Sequence, residues 1–238
     1  MRPGIGGTLA GFLFAAVAGF GPTDTLVAGQ SMQRIRIVAM GDSTTAGTPA
    51  WKSRVEAPPS GSGDETSQYA YWLMRAEPSW EVINQGVNGE RSDQILARFD
   101  RDVIAQKPAA VVIIAGVNDV YQGRTAGHVV EQLRTMYDRA KGSKIPVVAG
   151  TIIPYNTATA EQNRKMHEVN SWIRERADGR WLHVVDTRAA VALPGSIDQL
   201  AETPDELHPT AAGYCRMAAT ILPVLDRALS TSSRSRSR

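Results

Sequence analysis

Apolar positions along this chain follow two alternating rhythms. Short runs spaced as strands occur at Ile35 to Met40, Trp80 to Asn84, Ala109 to Ala115, Ile145 to Ile152 and Trp181 to Val185. The third is an unbroken Val/Ile run, as in a strand buried on both faces of a parallel sheet. Between the runs, apolar residues recur at helical spacing. Ile95, Leu96, Phe99 and Val103 share one face, as do Val129, Leu133, Met136 and Ala140. Met166, Val169 and Ile173 form another, and Tyr214, Met217, Ile221 and Leu225 the last. Strand and helix alternation predicts an α/β domain with helices on both sides of a parallel sheet. Right-handed crossovers make it doubly wound. Residues 47–64 break the rhythm. They are rich in Gly, Pro and Ser and predict one long loop.

The ends read differently. Arg2 precedes an apolar, glycine-rich run from Leu9 to Phe20, and small residues follow at Val27-Ala28-Gly29. That is the pattern of a secretory leader, cleaved near Ala28 or Gly29, with Ala16-Val17-Ala18 as a second candidate. It predicts a signal peptide over residues 1–29, a mature domain over 30–229 and a secreted or periplasmic protein. No stable membrane insertion is expected after cleavage, because the run is too short for a span. The tail from residue 230 lacks apolar residues and is expected to be disordered.

The formal net charge is +2 over 238 residues, but three of the arginines lie in that tail. The body without them stands at −1, which excludes a basic nucleic-acid binder. Cys215 is the only cysteine. It permits no intrachain disulfide, and its helical apolar context predicts a buried, inert thiol. No Cys/His/Asp pattern has metal-ligand spacing. No cofactor is expected, and nothing in the sequence fixes an oligomeric state.

Ligands of open parallel sheets sit beyond the carboxyl ends of the strands. Gly41-Asp42-Ser43-Thr44 follows the first strand, Asn84-Gln85-Gly86-Val87-Asn88-Gly89 the second, and Gly116-Val117-Asn118-Asp119 the third. Asp205-Glu206-Leu207-His208-Pro209 precedes the last helix and must fold back to join them. Acyl transfer needs a nucleophile, a base, a group that orients the base, and oxyanion donors. Ser43, His208 and Asp205 supply the first three. The backbone N–H groups of Ser43 and Gly89 and the side-chain amide of Asn118 supply the donors. Each block alone has a plain reading: a turn, a strand end, a helix start. Gly86 competes with Gly89, and Arg91 is either a contact for an anionic substrate group or a solvated arginine. Asp42 and Asp119 are read as loop braces, and His128, His167 and His183 as structural.

Together, in this order, the four blocks resemble those of the GDSL/SGNH hydrolases, from about Arg34 to Leu229. Thr44 stands where the family name has leucine. The resemblance implies a three-layer, flavodoxin-like sheet of five parallel strands and metal-free hydrolysis of esters or thioesters. It also implies Ser43, Asp205 and His208 as triad and Ser43, Gly89 and Asn118 as oxyanion hole. No G-x-S-x-G elbow is present, which separates the chain from α/β-hydrolases.

The expected substrate is a small-molecule or glycan ester, with a short acyl group because no apolar lid is visible. Trp51, Tyr121 and Tyr155 are candidate substrate contacts at the rim. The competing reading is a phosphate- or carbohydrate-binding flavodoxin-like module without catalysis. It would need neither Asp205 nor His208, and its helix would begin straight after the first loop.

Overall fold

The structure, a computed structural model, describes Met1 and residues 34–236, with side chains as far as Thr231. Apart from Met1, the expected leader lies outside the described residues. β1 (Ile35–Gly41) leads directly into a one-turn helix, α1 (Ser43–Ala46). The long segment that follows is pinned by a two-residue hairpin, β2 (Trp51–Lys52) with β3 (Ser62–Gly63). Next come α2 (Tyr69–Ala76), β4 (Trp80–Gly86), α3 (Ser92–Ala97) and α4 (Phe99–Asp102). β5 (Ala110–Ile114), α5 (Val117–Tyr121), α6 (Ala126–Gly142) and β6 (Val147–Gly150) follow. The chain continues with α7 (Ala160–Glu175), β7 (Leu182–Val185) and α8 (Thr187–Val191). The hairpin β8 (Ala192–Leu193) with β9 (Ser196–Leu200) and the long α9 (Ala211–Arg236) complete it.

The central sheet has the order β4-β1-β5-β6-β7, with every pairing parallel. This is the five-stranded, flavodoxin-like α/β fold that the sequence implies. Alternation along the strands divides the core in two. Val38 and Met40 face α3, α5, α6 and α7 through Ile95, Val120, Leu133 and Val169. Ile37 and Ala39 face α2 and α9 through Leu73, Tyr214, Met217 and Ile221. Each layer buries one apolar stripe per helix, the main favourable term in such a fold. The chain turns back at β1, whose neighbours are β4 on one side and β5 on the other. The carboxyl ends of these three strands form the switch-point crevice.

Several expectations are corrected. The run Ile145 to Ile152 forms a strand only over β6. Pro146 has no N–H to give a ladder, and Ile152 N–H donates instead to Asn170 Oδ1 at 2.7 Å. The face Ile95 to Val103 belongs to two short helices rather than one. They part at Arg98, whose guanidinium turns inward to Glu90 (2.7 Å), Asp102 (2.9 Å) and the carbonyl of Gly41 (3.0 Å). α9 does not stop at Leu229 but continues as helical backbone to Arg236, so the tail expected to be disordered starts as helix. Thr231 there bonds back to the carbonyl of Arg227, and each added helical residue gains one ladder bond. Cys215 is half-buried rather than buried. Among the described residues, no helix is long and apolar enough to cross a membrane.

Candidate active site

The turn after β1 is built by its own side chains. Asp42 caps α1 by accepting from Thr44 N–H at 3.0 Å, and Gly47 closes the helix in the left-handed region. Ser43 therefore occupies the first helical position, where its N–H has no intrahelical partner. It is buried at 3% exposure. Four residues carry no periodicity, so this helix has no signature in the apolar pattern.

β4 delivers the second block. Gly86 lies beneath α1, and a Cβ there would collide with the backbone of Ala46. Its small size serves packing. Gly89 differs: its φ is +77° and a Cβ on it would meet nothing within 4 Å. Glycine here answers a conformational requirement, the positive φ, rather than a close approach of neighbouring atoms. β5 delivers Asn118, whose Nδ2 donates to the carbonyl of Glu90 at 3.0 Å. One amide hydrogen thus fixes the Gly89-Glu90 turn beside Asn118, and the second remains to donate elsewhere. Behind it, Asp119 is fully buried and accepts from Ser92 N–H (2.8 Å) and Ser92 Oγ (2.7 Å). Asp42 and Asp119 brace loops, as read from the sequence.

The fourth block does fold back to this edge. Glu206 carbonyl accepts from Asn156 N–H, just beyond β6, at 2.7 Å. The Asp205 carboxylate organises the turn: Oδ1 accepts from the N–H groups of Leu207 (3.1 Å) and His208 (2.8 Å), and Oδ2 meets His208 Nδ1 at 2.7 Å. Burial raises the Asp205 pKa, but the bonds from the His208 ring and backbone and from Leu207 outweigh it and hold the carboxyl below its ordinary range. An ionised carboxylate only accepts, so Nδ1 carries a proton, and of the two neutral tautomers this contact selects the one with the lone pair on Nε2. Nε2 is buried without a hydrogen-bond partner. The Tyr214 phenol on α9 is pushed up by burial first, then by the charges of Asp42 and Asp205.

The family model described as GDSL-like Lipase/Acylhydrolase family matches residues 39–216. The chain belongs to this family. It is a carboxylic ester hydrolase. It is 29% identical over 173 residues to an acetylxylan esterase of Geobacillus stearothermophilus, covering 65% of this chain and 77% of the relative. A GDSL-like lipase of Bacteroides thetaiotaomicron shares the fold with TM-score 0.66 and 25% identity, over 82% of this chain and 89% of its own. A variant of an acetyl-xylooligosaccharide esterase from Geobacillus gives TM-score 0.64 and 25% identity, over 80% and 93%.

Three further expectations for this GDSL hydrolase change on inspection. Tyr155 is only 1% exposed and packs edge-on beneath Tyr121 (centroids 5.8 Å apart), so it has no free face. Its apolar neighbours in sequence, Ile152 and Ile153, carry it into the core. Tyr121 above it is 56% exposed. Arg91 is not free for a substrate anion, because Asp93 holds it at 3.0 Å and Gln122 takes Nη1 at 3.0 Å. Although no spacing suggested a metal-ligand set, the fold brings Asp93, Asp119 and His128 within 4.8 Å of one another. Both carboxylates are engaged, Asp93 by Arg91 and Asp119 by Ser92, while His128 Nε2 is buried without a hydrogen-bond partner, 3.7 Å from Asp119.

Trp51 lies half-buried beside a cavity of about 180 Å³, with one part of its ring covered by Gly61. A second cavity of about 550 Å³ runs along β4 from Arg54 to Glu90. The loop between them is tied to the site by a residue the sequence reading missed. Glu56 accepts from Ser53 N–H and Oγ through Oε2 and from Asn88 Nδ2 through Oε1. The Ser-x-x-Glu spacing of Ser53 and Glu56 was the available signal.

Asp42 adds a pH dependence. Burial first, and Asp119 to a lesser degree, raise its pKa from 3.8 to about 7 against the lowering bond from Thr44. Between those values the native state holds a proton that the unfolded chain has released. Stability from this group therefore falls as pH rises from about 4 to about 7. Asp42→Asn keeps the cap acceptor and removes the titration. The wild-type melting temperature is expected to drop by several degrees more than that of Asp42→Asn between pH 4.5 and pH 8 by calorimetry, roughly as one or more kcal/mol would move a domain of this size. Equal drops contradict the assignment.

Proposed function

We propose that this protein is an exported serine hydrolase that removes short acyl groups, acetyl above all, from carbohydrate esters through a Ser43 acyl-enzyme. The observation that carries the reading is the 2.7 Å contact of Asp205 with His208 Nδ1, which leaves the buried Nε2 as an unpaired base. Ser43 Oγ attacks the ester carbonyl as its proton passes to Nε2. The charge on the carbonyl oxygen is taken by the N–H groups of Ser43 and Gly89 and by the second amide hydrogen of Asn118. The imidazolium, stabilised by Asp205, returns the proton to the departing alcohol. Water, deprotonated by the same Nε2, then attacks the acyl-enzyme and frees the acid and Ser43.

The substrate part rests on the likeness to esterases acting on acetylated xylan and xylooligosaccharides. It also rests on Trp51 and the exposed Tyr121, which offer flat faces for sugar rings at the loop cavities and the rim. Export rests on the leader pattern of residues 1–29.

A chain-length series of p-nitrophenyl esters, run beside acetylated xylooligosaccharides, tests the substrate. kcat/KM is expected to be highest for acetyl to butyryl esters, and acetate is expected to be released from the oligosaccharide. A specificity constant rising steadily to octanoyl and beyond, with no acetate released, overturns it. Sequencing the N-terminus of protein recovered outside the cytoplasm tests export. An intact residue 1, or no protein there, argues against the leader.

A further inference from the structure

The turn that carries Asp205 and His208 contains a non-glycine residue in the left-handed region, Glu206, at φ +64°. Such a conformation persists only where its surroundings hold it. Its carbonyl is held by Asn156 N–H at 2.7 Å. The side chain of the same residue holds the other end of the segment: Asn156 Oδ1 accepts from Leu200 N–H, also at 2.7 Å. Both ends of residues 200–206 are therefore fixed to one residue. Leu200 ends β9, a strand tied to the body by Asp198, which meets the fully buried Arg188 at 2.6 Å.

Asn156 stands on firm ground. Ile152, Ile153, Pro154 and Tyr155 before it are all buried. Asn170 on α7 clamps Ile152 from both sides, accepting its N–H at 2.7 Å and donating to its carbonyl at 3.0 Å. Asn156 itself is exposed, so its truncation opens no core cavity. Between Leu200 and Glu206 the chain is mostly exposed; Ala201 N–H donates to the Val191 carbonyl at 3.0 Å and Glu202 meets Thr210 and Arg216, so the stretch from Thr203 to Glu206, with only the local contact of Thr203 and Asp205, depends most on Asn156.

We propose that Asn156 is a positioning residue for His208: by stapling Leu200 and Glu206 it holds the turn in which Asp205 orients the imidazole. The proposal rests on the triad reading above. Asn156 touches no reacting atom, and its effect passes through the backbone to Asp205. Removing Oδ1 leaves Leu200 N–H without its acceptor and loosens the entry to the 202–206 segment, whose backbone Ala201 then anchors there through Val191 alone. The Asp205 carboxylate then spends part of its time away from Nδ1.

The test compares Asn156→Ala with Asn156→Asp, which keeps an acceptor oxygen for Leu200. Asn156→Ala is expected to lower kcat for p-nitrophenyl acetate about tenfold with KM unchanged, the scale of one lost hydrogen bond. Asn156→Asp is expected to recover to within about twofold, since the acceptor is restored. A second readout does not depend on turnover. The wild type is expected to show a strongly downfield proton resonance from His208 Nδ1–H, identified by its absence in His208→Ala. It broadens in Asn156→Ala and persists in Asn156→Asp. Wild-type kcat in Asn156→Ala, or equal losses in both variants, overturns the proposal. So does an unaltered resonance in Asn156→Ala. If Ser43 proves not to be the nucleophile while the resonance still responds, the esterase mechanism fails and the staple stands.

Discussion

Folded His208→Ala is expected to lose about 10⁴-fold or more in kcat toward p-nitrophenyl acetate, the loss typical when a triad base is removed. The size follows from its two roles. Nε2 takes the serine proton during attack and gives it to the departing alcohol, so both halves of acylation lose their proton path. Wild-type rate should show the pH dependence of a general base, and the variant should lose it. Because His208 is only 4% exposed, folding must be checked by circular dichroism. A folded variant with near-wild-type turnover and the wild-type pH profile removes His208 from the mechanism and favours a binding module.

Asn118→Ala is expected to cost about 10²–10³ in kcat with little change in KM, the usual loss of one oxyanion donor. The amide contributes where charge develops, so its effect belongs to the transition state. The shape of the pH profile should survive, unlike that of His208→Ala. Here the structure adds a condition. Asn118 Nδ2 also holds the Glu90 carbonyl at 3.0 Å, so truncation frees the neighbouring Gly89 turn. Asn118→Asp separates the two effects, because it keeps the size, loses both donors and places a charge where the oxyanion forms. It should be at least as damaging as Asn118→Ala. An Asn118→Ala loss confined to KM would show that the residue binds substrate without favouring the transition state.

Long-range order was legible in the sequence where pattern and period agree. The continuous Ala110–Ile114 run and the faces of α6, α7 and α9 each landed in the core. The sequence order of the blocks carrying Ser43, Gly89 and Asn118 put them after β1, β4 and β5, which lie side by side in the sheet. What escaped notice was short or paid for by distant partners. α1 is one turn long, too short for any period, though Asp42 and Gly47 mark both its ends. Arg98 and Arg188 are buried cations, and arginine is ordinarily a surface residue. Besides nearer carboxylates, each has a partner far along the chain, Gly41 at 57 positions and Asn163 at 25. Tyr155 looked like a rim aromatic because its neighbours in sequence say nothing about Tyr121 resting on it. Asn156 follows a strand as an ordinary loop residue, and only the folded chain shows Leu200 and Glu206 meeting on it.

Ser43 is the proposed nucleophile of an acyl-transfer site. Incubation with a serine-directed alkyl phosphonate, followed by mass spectrometry of the peptides, tests it most directly. The account predicts loss of esterase activity in step with one phosphonyl adduct per chain, located on Ser43, and no adduct in Ser43→Ala. Stoichiometric labelling of another serine, or full activity with Ser43 modified, would contradict it.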